Sequence, residues 1–238
     1  MSEFPNTGNT PVNHPVAEPA KAICVRFHTD QPVLATPYQL KGVIIRKFPN
    51  HAIVPFINGE YRGQIRYPRV QVKVLRNQLC IFGIGAGYKV VRGFYEELES
   101  FQVEEEVYKI TGMDLPESDL QLDLPSEDFL RYKFITPWVA LNRRYLVMYR
   151  ALLPVERAAF LNRLLVQNLL FIGRELGYEI NYTVTARVKL QSLTPRVVEE
   201  QGSGSFKGYF TSNMILPDYL GLGNGITKGL GTIVQMQQ

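Results

Sequence analysis

The chain has 238 residues, of which 45% are hydrophobic, so it is long enough for one large domain or two small ones with ordinary packed cores. No apolar run approaches the roughly 20 residues of a membrane helix, and no signal peptide is recognisable, so we expect a cytoplasmic protein that makes no membrane contact. The net charge of +4 favours an anionic partner such as nucleic acid, and two cysteines in apolar runs, Cys24 and Cys80, argue against a disulfide framework.

The first half of the chain follows the pattern of a ferredoxin-like domain. Residues 1–20, rich in Pro, Asn and Thr, are expected to form a flexible tail that includes His14. After it, hydrophobic periodicity predicts strand, helix, strand, strand, helix and strand at 22–28, 37–48, 70–75, 79–84, 88–98 and 101–110. Residues 51–68 have no clear period and are predicted to be a loop. This order predicts a βαββαβ domain over 21–112.

The second half of the chain is predicted to repeat the same order. An acidic, Pro-containing linker is placed at 113–128, and the second domain at 129–238. A leucine-rich stripe predicts a helix from Pro154 to the C-cap Gly177, and strands are predicted at 129–135, 180–190, 206–216 and 232–236. The second helix of this half is shortened to a glycine-rich loop. We therefore expect an α+β fold of two tandem ferredoxin-like (RRM-like) domains.

The glycine-rich loop, residues 221–231, is the most distinctive stretch of the sequence. It carries two Gly-apolar-Gly pairs around a polar centre with one lysine, at Gly221, Gly223, Lys228, Gly229 and Gly231. Glycine backbones allow close approach, and successive N–H groups can bind an anion. The loop matches neither a P-loop nor a dinucleotide-binding fingerprint, because no strand–helix unit follows it. The pattern favours phosphate binding.

Three segments resemble the CRISPR-associated endoribonucleases that cut repeat RNA into guide units. Asn213–Ile233 is similar to the glycine-rich loop of that family, Thr136–Asn142 to the start of its second domain, and Ile65–Lys73 to a first-domain strand after its catalytic loop. The resemblance covers nearly the whole chain from about residue 22. It implies tandem ferredoxin-like domains that bind CRISPR repeat RNA.

The resemblance also implies a reaction that needs no metal ion or cofactor. In this reaction the RNA 2′-hydroxyl attacks the adjacent phosphate and leaves a 2′,3′-cyclic phosphate and a 5′-hydroxyl. The sequence is compatible with it, because the three histidines are far apart and no Cys/His pair has metal-ligand spacing. Histidine suits proton abstraction near neutral pH, and Lys or Arg can stabilise the charge on the phosphorane.

Three residues around the first-domain loop are the predicted catalytic groups. His51 is the predicted base because it follows the first helix, where relatives carry their catalytic histidine; Tyr61 and Lys47 are its predicted partners. His28 is the second choice for the base, and Tyr67 is a second tyrosine that could donate or stack. Relatives carry an aromatic residue followed by His-Asn-His where this chain has Phe56–Gly59.

The predicted RNA-binding residues form two groups. Four arginines flank the first-domain loop, at Arg46, Arg62, Arg66 and Arg69. In the second domain the glycine-rich loop is joined by Arg187, Lys189 and Lys207. Relatives have Lys, Ser, Arg and Phe where this chain has Asn224, Gly225, Lys228 and Leu230, so Lys228 keeps the charge without the guanidinium fork.

Three functions remain open on the sequence. The first is an endoribonuclease acting on CRISPR repeat RNA, the precursor of guide RNA. The second is a non-catalytic subunit that holds the repeat within a multi-subunit CRISPR complex, which the missing loop histidines favour. The third is an unrelated nucleotide-binding enzyme that uses the glycine-rich loop. Monomer and homodimer are both compatible with the sequence.

Overall fold

A computed structural model describes residues 20–198 and 203–237 of the chain; the predicted tail and His14 lie outside these ranges, apart from Ala20. The helices and strands of the first half are β1 (Lys21–Thr29), α1 (Pro37–Lys47), α2 (Val54–Asn58), β2 (Val70–Leu75), β3 (Gln78–Ile84), α3 (Ala86–Phe94), β4 (Ser100–Val103), β5 (Glu106–Asp114) and β6 (Glu117–Asp119).

The first-half sheet has the strand order of a ferredoxin-like domain. Its strands run β2-β3-β1-β5-β4, and β6 pairs with the start of β1. All neighbouring pairs are antiparallel. One face of β1 packs against α1 and α3, with Val25 and Phe27 buried against Leu40, Ile44 and Phe94. The predicted βαββα order is confirmed, and β5 is the fourth strand of the motif.

Two predictions for this half were incomplete. The strand predicted at 101–110 is a hairpin, because Val103 pairs with Glu106 and Glu104 adopts a positive φ of 55° at the turn between them. The predicted loop 51–68 contains α2 and a 3₁₀ turn, Glu60–Gly63, joined by Gly59 at φ 92°. These short turns carry too few residues to show a hydrophobic period.

The second half contains more elements than predicted, and its first strand begins at Pro125. They are β7 (Pro125–Phe134), β8 (Trp138–Leu141), α4 (Arg143–Ala151), α5 (Pro154–Glu175), β9 (Ala186–Leu190), β10 (Arg196–Val198), β11 (Ser203–Phe206), β12 (Gly208–Met214) and β13 (Ile233–Gln235). The main sheet has the order β13-β7-β12-β9, again that of a ferredoxin-like domain. The tandem arrangement is therefore confirmed.

The prediction for the second half missed a small sheet and misplaced several strand ends. Strands β10, β11 and β8 form a separate sheet beside α4. Neither this sheet nor α4 was predicted. The strand predicted at 180–190 begins only at Ala186, because Asn213 replaces strand pairing there: its side chain accepts from Thr185 N (2.8 Å) and donates to Thr183 O (2.9 Å). The strand predicted at 206–216 is split at Lys207 between β11 and β12. The predicted linker 113–128 contains the end of β5, all of β6 and the start of β7.

Helix α5 forms the core of the second half as its leucine stripe predicted. Leu161, Leu165 and Leu169 are fully buried, in one cluster with Tyr132 and Phe210 of the main sheet. Pro154 occupies the first turn, where its missing N–H costs no hydrogen bond. The opposite face of the sheet is left open to solvent.

The two halves share one hydrophobic cluster. Cys24, Cys80 and Phe82, on the face of the first sheet away from its helices, belong to the same cluster as Leu222 and Ile233. Both cysteines are buried free thiols, as predicted. Within the described ranges no helix has both the length and the apolar composition needed to cross a membrane.

Candidate nucleic-acid interface

A cleft of about 590 Å³ lies between the segment that follows α1 and the tip of the glycine-rich loop. It is lined by Lys41, Pro55, Phe56, Ile57, Gly59, Tyr61, Arg62, Ile65, Arg66, Pro68, Arg69, Val70, Gly225, Thr227 and Lys228. Two regions that are far apart in the sequence, 41–70 and 225–228, therefore meet at one surface. The tip of the glycine-rich loop is a 3₁₀ turn, Ile226–Lys228, which confirms that the second helix of this half is shortened.

Local turns hold the first-domain wall of the cleft in place. The left-handed Gly59 reverses the chain after α2, and Asn58 Oδ1 accepts from Glu60 N at 2.8 Å. The rings of Phe56 and Tyr61 then pack edge to face, with centroids 5.0 Å apart. Tyr61 is thus presented at the cleft on a rigid aromatic support.

Positive charge dominates the cleft. Five of its lining residues are basic, namely Lys41, Arg62, Arg66, Arg69 and Lys228. The first-domain wall is anchored to the end of α5, because Glu175 Oε2 accepts from the backbone N–H of Arg66 at 3.1 Å. The Arg69 guanidinium donates to the backbone carbonyl of Glu175. Four of the basic residues predicted to bind RNA are therefore brought together here.

Lys41 belongs to the cleft although sequence reasoning gave it no role. It projects from α1, and its Nζ donates to the carbonyl of Thr227 in the glycine-rich loop. Burial, followed by the nearby charge of Arg62, lowers the pKa of Lys41 to about 8. The helical pattern alone cannot distinguish Lys41 from Lys47, because the contact that places Lys41 in the cleft is with Thr227, 186 residues further along the chain.

The predicted base and one predicted partner lie outside the lining of this cleft. His51 Nδ1 accepts from Ile53 N at 3.1 Å, which leaves the proton on Nε2, 3.3 Å from Glu97 Oε1. Its ring also packs on Phe94, with centroids 5.1 Å apart. Lys47 Nζ donates instead to Ser100 O at 2.7 Å. The sequence placed His51, Lys47 and Tyr61 together; the structure leaves only Tyr61 in the cleft. Arg46 is exposed on α1 and does not line it either.

His28, the second choice for the base, also has both ring nitrogens engaged. Gln78 Nε2 donates to His28 Nδ1, and His28 Nε2 lies 2.9 Å from Asp114 Oδ2. Arg26 pairs with the same carboxylate at 2.8 Å. Among the residues that the structure describes, no group of three His, Cys, Asp or Glu side chains could hold a metal ion.

Tyr67, the alternative tyrosine, is a packing residue. Its side chain is fully buried. Its hydroxyl donates to Gly221 O at 2.9 Å and accepts from Gln71 Nε2 at 3.0 Å. Burial raises its pKa well above the usual value for tyrosine. It therefore joins the first sheet to the glycine-rich loop and presents no group to the cleft.

The glycines of the loop serve close packing. A Cβ on Gly231 would lie 1.9 Å from Leu222 O, and one on Gly223 would lie 2.7 Å from Trp138 Nε1. Gly221 and Gly229 are buried as well. Most N–H groups of the loop donate to nearby carbonyls, for example Leu222 N to Gly231 O at 2.9 Å. Much of the loop is thus bonded within the protein, and its tip contributes Gly225, Thr227 and Lys228 to the cleft.

The remaining predicted RNA contacts lie on the main sheet of the second half. Arg187 and Lys189 are exposed on β9, and Lys207 is exposed just before β12. None of the three lines the cleft. They belong to a second basic surface.

The chain matches two family descriptions in succession. The Cas6b N-terminal domain matches residues 20–121, and the Cas6b C-terminal domain matches residues 124–236. An uncharacterized protein of Methanocaldococcus jannaschii is 32% identical over 115 residues, which are 48% of this chain and 77% of that protein.

Solved structures agree with the fold. A crystal structure of Cas6b has a TM-score of 0.77 at 24% identity, over 91% of this chain and 99% of that one. A crystal structure of the CRISPR RNA processing endoribonuclease Cas6b has a TM-score of 0.67 at 24% identity, over 91% and 100% of the two chains. The fold, the order of the two domains and the family matches lead to one assignment: this chain belongs to the Cas6b family of CRISPR RNA processing endoribonucleases.

Proposed function

We propose that this protein binds CRISPR repeat RNA in the basic cleft and cuts it once per repeat without a metal ion. The observation that carries the proposal is the meeting of five basic residues from two distant regions of the sequence at one surface, in a chain of the Cas6b family. Clustered Lys and Arg side chains bind phosphates and release counterions, so they suit an RNA backbone.

The reaction we propose is an internal phosphoryl transfer. The 2′-oxygen attacks the adjacent phosphorus and loses its proton to a base, while the 5′-oxygen leaves and takes a proton from a donor. The products are a 2′,3′-cyclic phosphate and a 5′-hydroxyl. Arg62 and Lys228 both line the cleft, and in this proposal they stabilise the charge that develops on the phosphate.

Lys41 and Tyr61 are the proton-transfer groups that the cleft offers. With a pKa of about 8, the Lys41 amine is partly neutral near pH 7 and can accept the 2′-hydroxyl proton. The Tyr61 hydroxyl can donate to the leaving 5′-oxygen. His51 is the alternative acceptor, and it can act only after it leaves the Ile53 amide and the Glu97 carboxylate.

Single-turnover cleavage in EDTA, on repeat RNA transcribed from the host's own CRISPR array, tests the proposal. We expect one cut that disappears when the 2′-hydroxyl at the cut site is replaced by hydrogen. Lys41→Met should slow the cut about 100-fold, which is the lower end of the range for general base catalysis. The control is Lys109→Met, at an exposed lysine on β5, which should leave the rate unchanged. Loss of the cut in His51→Ala with full activity in Lys41→Met would move the base to His51.

The pH dependence of this rate provides a second readout. Because Lys41 must be neutral to accept a proton, the wild-type rate should rise with pH and level off above about 8. Lys41→Met should remove that rise. A general base is active only when it is unprotonated, so its contribution to the rate increases with pH up to its pKa. A wild-type rate that falls as the pH increases from 6 to 8 would therefore contradict a lysine base.

A non-catalytic RNA-holding subunit is the second candidate function. The observation in its favour is that both described histidines, His28 and His51, have both ring nitrogens engaged. In the same assay this function would show as tight binding of the repeat with no cut at any pH.

A further inference from the structure

The open face of the second-half sheet carries two cross-strand rows of cations. In the first row Tyr209 of β12 lies opposite Lys133 of β7 and Lys189 of β9. In the second row Thr211 lies opposite Arg131 and Arg187 on the same two strands. The alternate residues, such as Tyr132 and Phe210, point to the α5 side and are buried.

Tyr209 stands at the centre of this basic surface. The Arg131 guanidinium lies 4.3 Å from its ring centroid, and Arg131 Nη2 donates to the Tyr209 hydroxyl at 3.2 Å. Lys189 Nζ lies 5.6 Å from the same centroid. The hydrogen bond from Lys189 and the charges of Lys189 and Arg131 lower the pKa of Tyr209. An aromatic ring is therefore fixed by cations on an otherwise open sheet.

A hollow of about 510 Å³ continues from this ring toward the end of the sheet. Its polar lining consists of Tyr209, Thr136, Gln191 and three lysines, Lys133, Lys189 and Lys207. Its apolar lining includes Ile135, Pro137 and Met236. Its volume lies in the range of small-molecule sites. An aromatic platform beside phosphate-binding cations is the chemistry of a nucleotide site.

We propose that this face is a second RNA-binding site, separate from the cleft, that takes single-stranded RNA. One base stacks on the Tyr209–Arg131 pair, and the neighbouring phosphates pair with Lys133, Lys189 and Lys207. Bases stack on aromatic rings and on guanidinium planes with little sequence preference, and open four-stranded sheets of this topology bind single strands in this way. The proposal rests on the proposed function, because it assumes RNA as the ligand.

The hollow and the cleft adjoin the same loop. Thr136 and Pro137 line the hollow. Thr136 Oγ1 donates to Gly229 O at 2.9 Å, and Gly231 N donates to Pro137 O at 2.9 Å. The glycine-rich loop that these bonds hold provides Thr227 and Lys228 to the cleft. One RNA strand can therefore pass from the cleft across the loop to Tyr209.

Binding of an oligouridylate of about 12 nucleotides, within the range of single-strand sites, tests the stacking directly. The RNA carries a fluorescent end label and one 4-thiouridine. We expect Tyr209→Leu to weaken binding about tenfold, Tyr209→Phe to bind nearly as wild type, and irradiation to link the thiouridine to β12. Tyr38→Leu, at an 83% exposed tyrosine on α1, is the matched control and should bind as wild type.

The lysines are tested through the salt dependence of the same binding. Lys207→Gln should reduce the slope of log affinity against log salt concentration by about one, whereas Lys109→Gln should leave it unchanged. Equal affinities for Tyr209→Leu and wild type, or cross-links confined to residues 41–70 and 225–228, would overturn the proposal.

The two proposals can fail independently. If Tyr209→Leu binds the oligouridylate normally while the repeat is still cut in EDTA, the second site is wrong and the nuclease stands. If Tyr209→Leu weakens binding but no repeat is cut, the second site stands and the nuclease is wrong. Absence of any RNA binding would overturn both.

Discussion

Lys73 is a fully buried lysine at the junction of the two domains. Its Nζ donates to Tyr219 O at 2.8 Å and to Thr232 Oγ1 at 3.0 Å. Burial lowers its pKa to about 7, and the nearby thiols of Cys24 and Cys80 act in the opposite direction. The residue therefore joins β2 to the C-terminal segment through hydrogen bonds that a neutral amine also makes.

Replacing Lys73 by Met should change how stability depends on pH. Between pH 7 and the unfolded value of about 10.4 the unfolded chain binds one proton more than the folded one, so wild-type stability should rise by roughly 1 kcal/mol per pH unit relative to Lys73→Met. Below pH 7 Lys73 is charged in both states and the difference should be constant. Urea unfolding at pH 6 to 9 measures this, with Lys109→Met as control. A pH-independent difference above 7 would show that Lys73 is charged when buried.

Single residues of the site were predictable where the sequence itself is unusual. Tyr61, Arg62, Arg66 and Lys228 were predicted because they lie in segments without regular structure, beside glycines or in a resembling motif. The position of Lys41 in the cleft and the engagement of His51 were not predictable. Both depend on tertiary partners, Thr227 and Glu97, that no local pattern identifies.

At the scale of elements, the glycine-rich loop is a packed connection. Gly231 has φ 68°, and a Cβ there would overlap Leu222 O. Gly231→Ala should therefore lower the free energy of unfolding by at least about 2 kcal/mol, combining left-handed strain with a backbone clash. Thermal unfolding followed by circular dichroism measures the loss.

Gly63→Ala is the matched control for this substitution. Gly63 lies in the 3₁₀ turn of the cleft wall, and a Cβ there would meet no atom within 4 Å. Its replacement should change stability by less than about 0.5 kcal/mol. If Gly231→Ala changes stability as little as Gly63→Ala does, the loop can rearrange without loss of stability. The inference that the loop is a tightly packed connection would then be wrong.

Elements with strong local signals were predicted and those without were not. The hairpin of β2 and β3 was predicted from its turn, where Arg76 and Asn77 have φ of 51° and 58°. Helix α5 was predicted from its stripe and from Pro154. The small sheet of β8, β10 and β11 was not, because strands of three or four residues carry no period and are held by contacts with α4 and α5.

At the scale of the whole molecule, the two ferredoxin-like domains share one buried core, so we expect them to unfold as one cooperative unit. The buried cluster crosses from Phe82 to Leu222, and Tyr67 links the two halves by its bond to Gly221 O. The order of elements predicted two domains. Their shared core was not predictable. A strand with two buried faces has the same hydrophobic sequence whether its second face is covered by its own domain or by the other one.

Tyr67→Phe tests this cooperativity. The substitution leaves the Gly221 carbonyl and the Gln71 amide without the hydroxyl, so it should destabilise by about 1–3 kcal/mol. The single tryptophan, Trp138, lies in the second half and reports on that half alone. We expect its fluorescence transition to shift together with the circular dichroism transition. If the fluorescence transition stays where it is in wild type, the halves unfold separately.

The contact between the first sheet and the C-terminal segment also determines when that sheet is fully covered during synthesis. Lys73 and Tyr219 are 146 residues apart, and ribosomes add roughly 5–20 residues per second. Lys73 therefore leaves the exit tunnel roughly seven to thirty seconds before the segment that covers the second face of its sheet. During that interval Cys24, Cys80 and Phe82 lack their cover from Leu222 and Ile233. The nascent chain is thus exposed to aggregation and to thiol oxidation until this segment emerges, and slow codons between β6 and β12 would prolong that period.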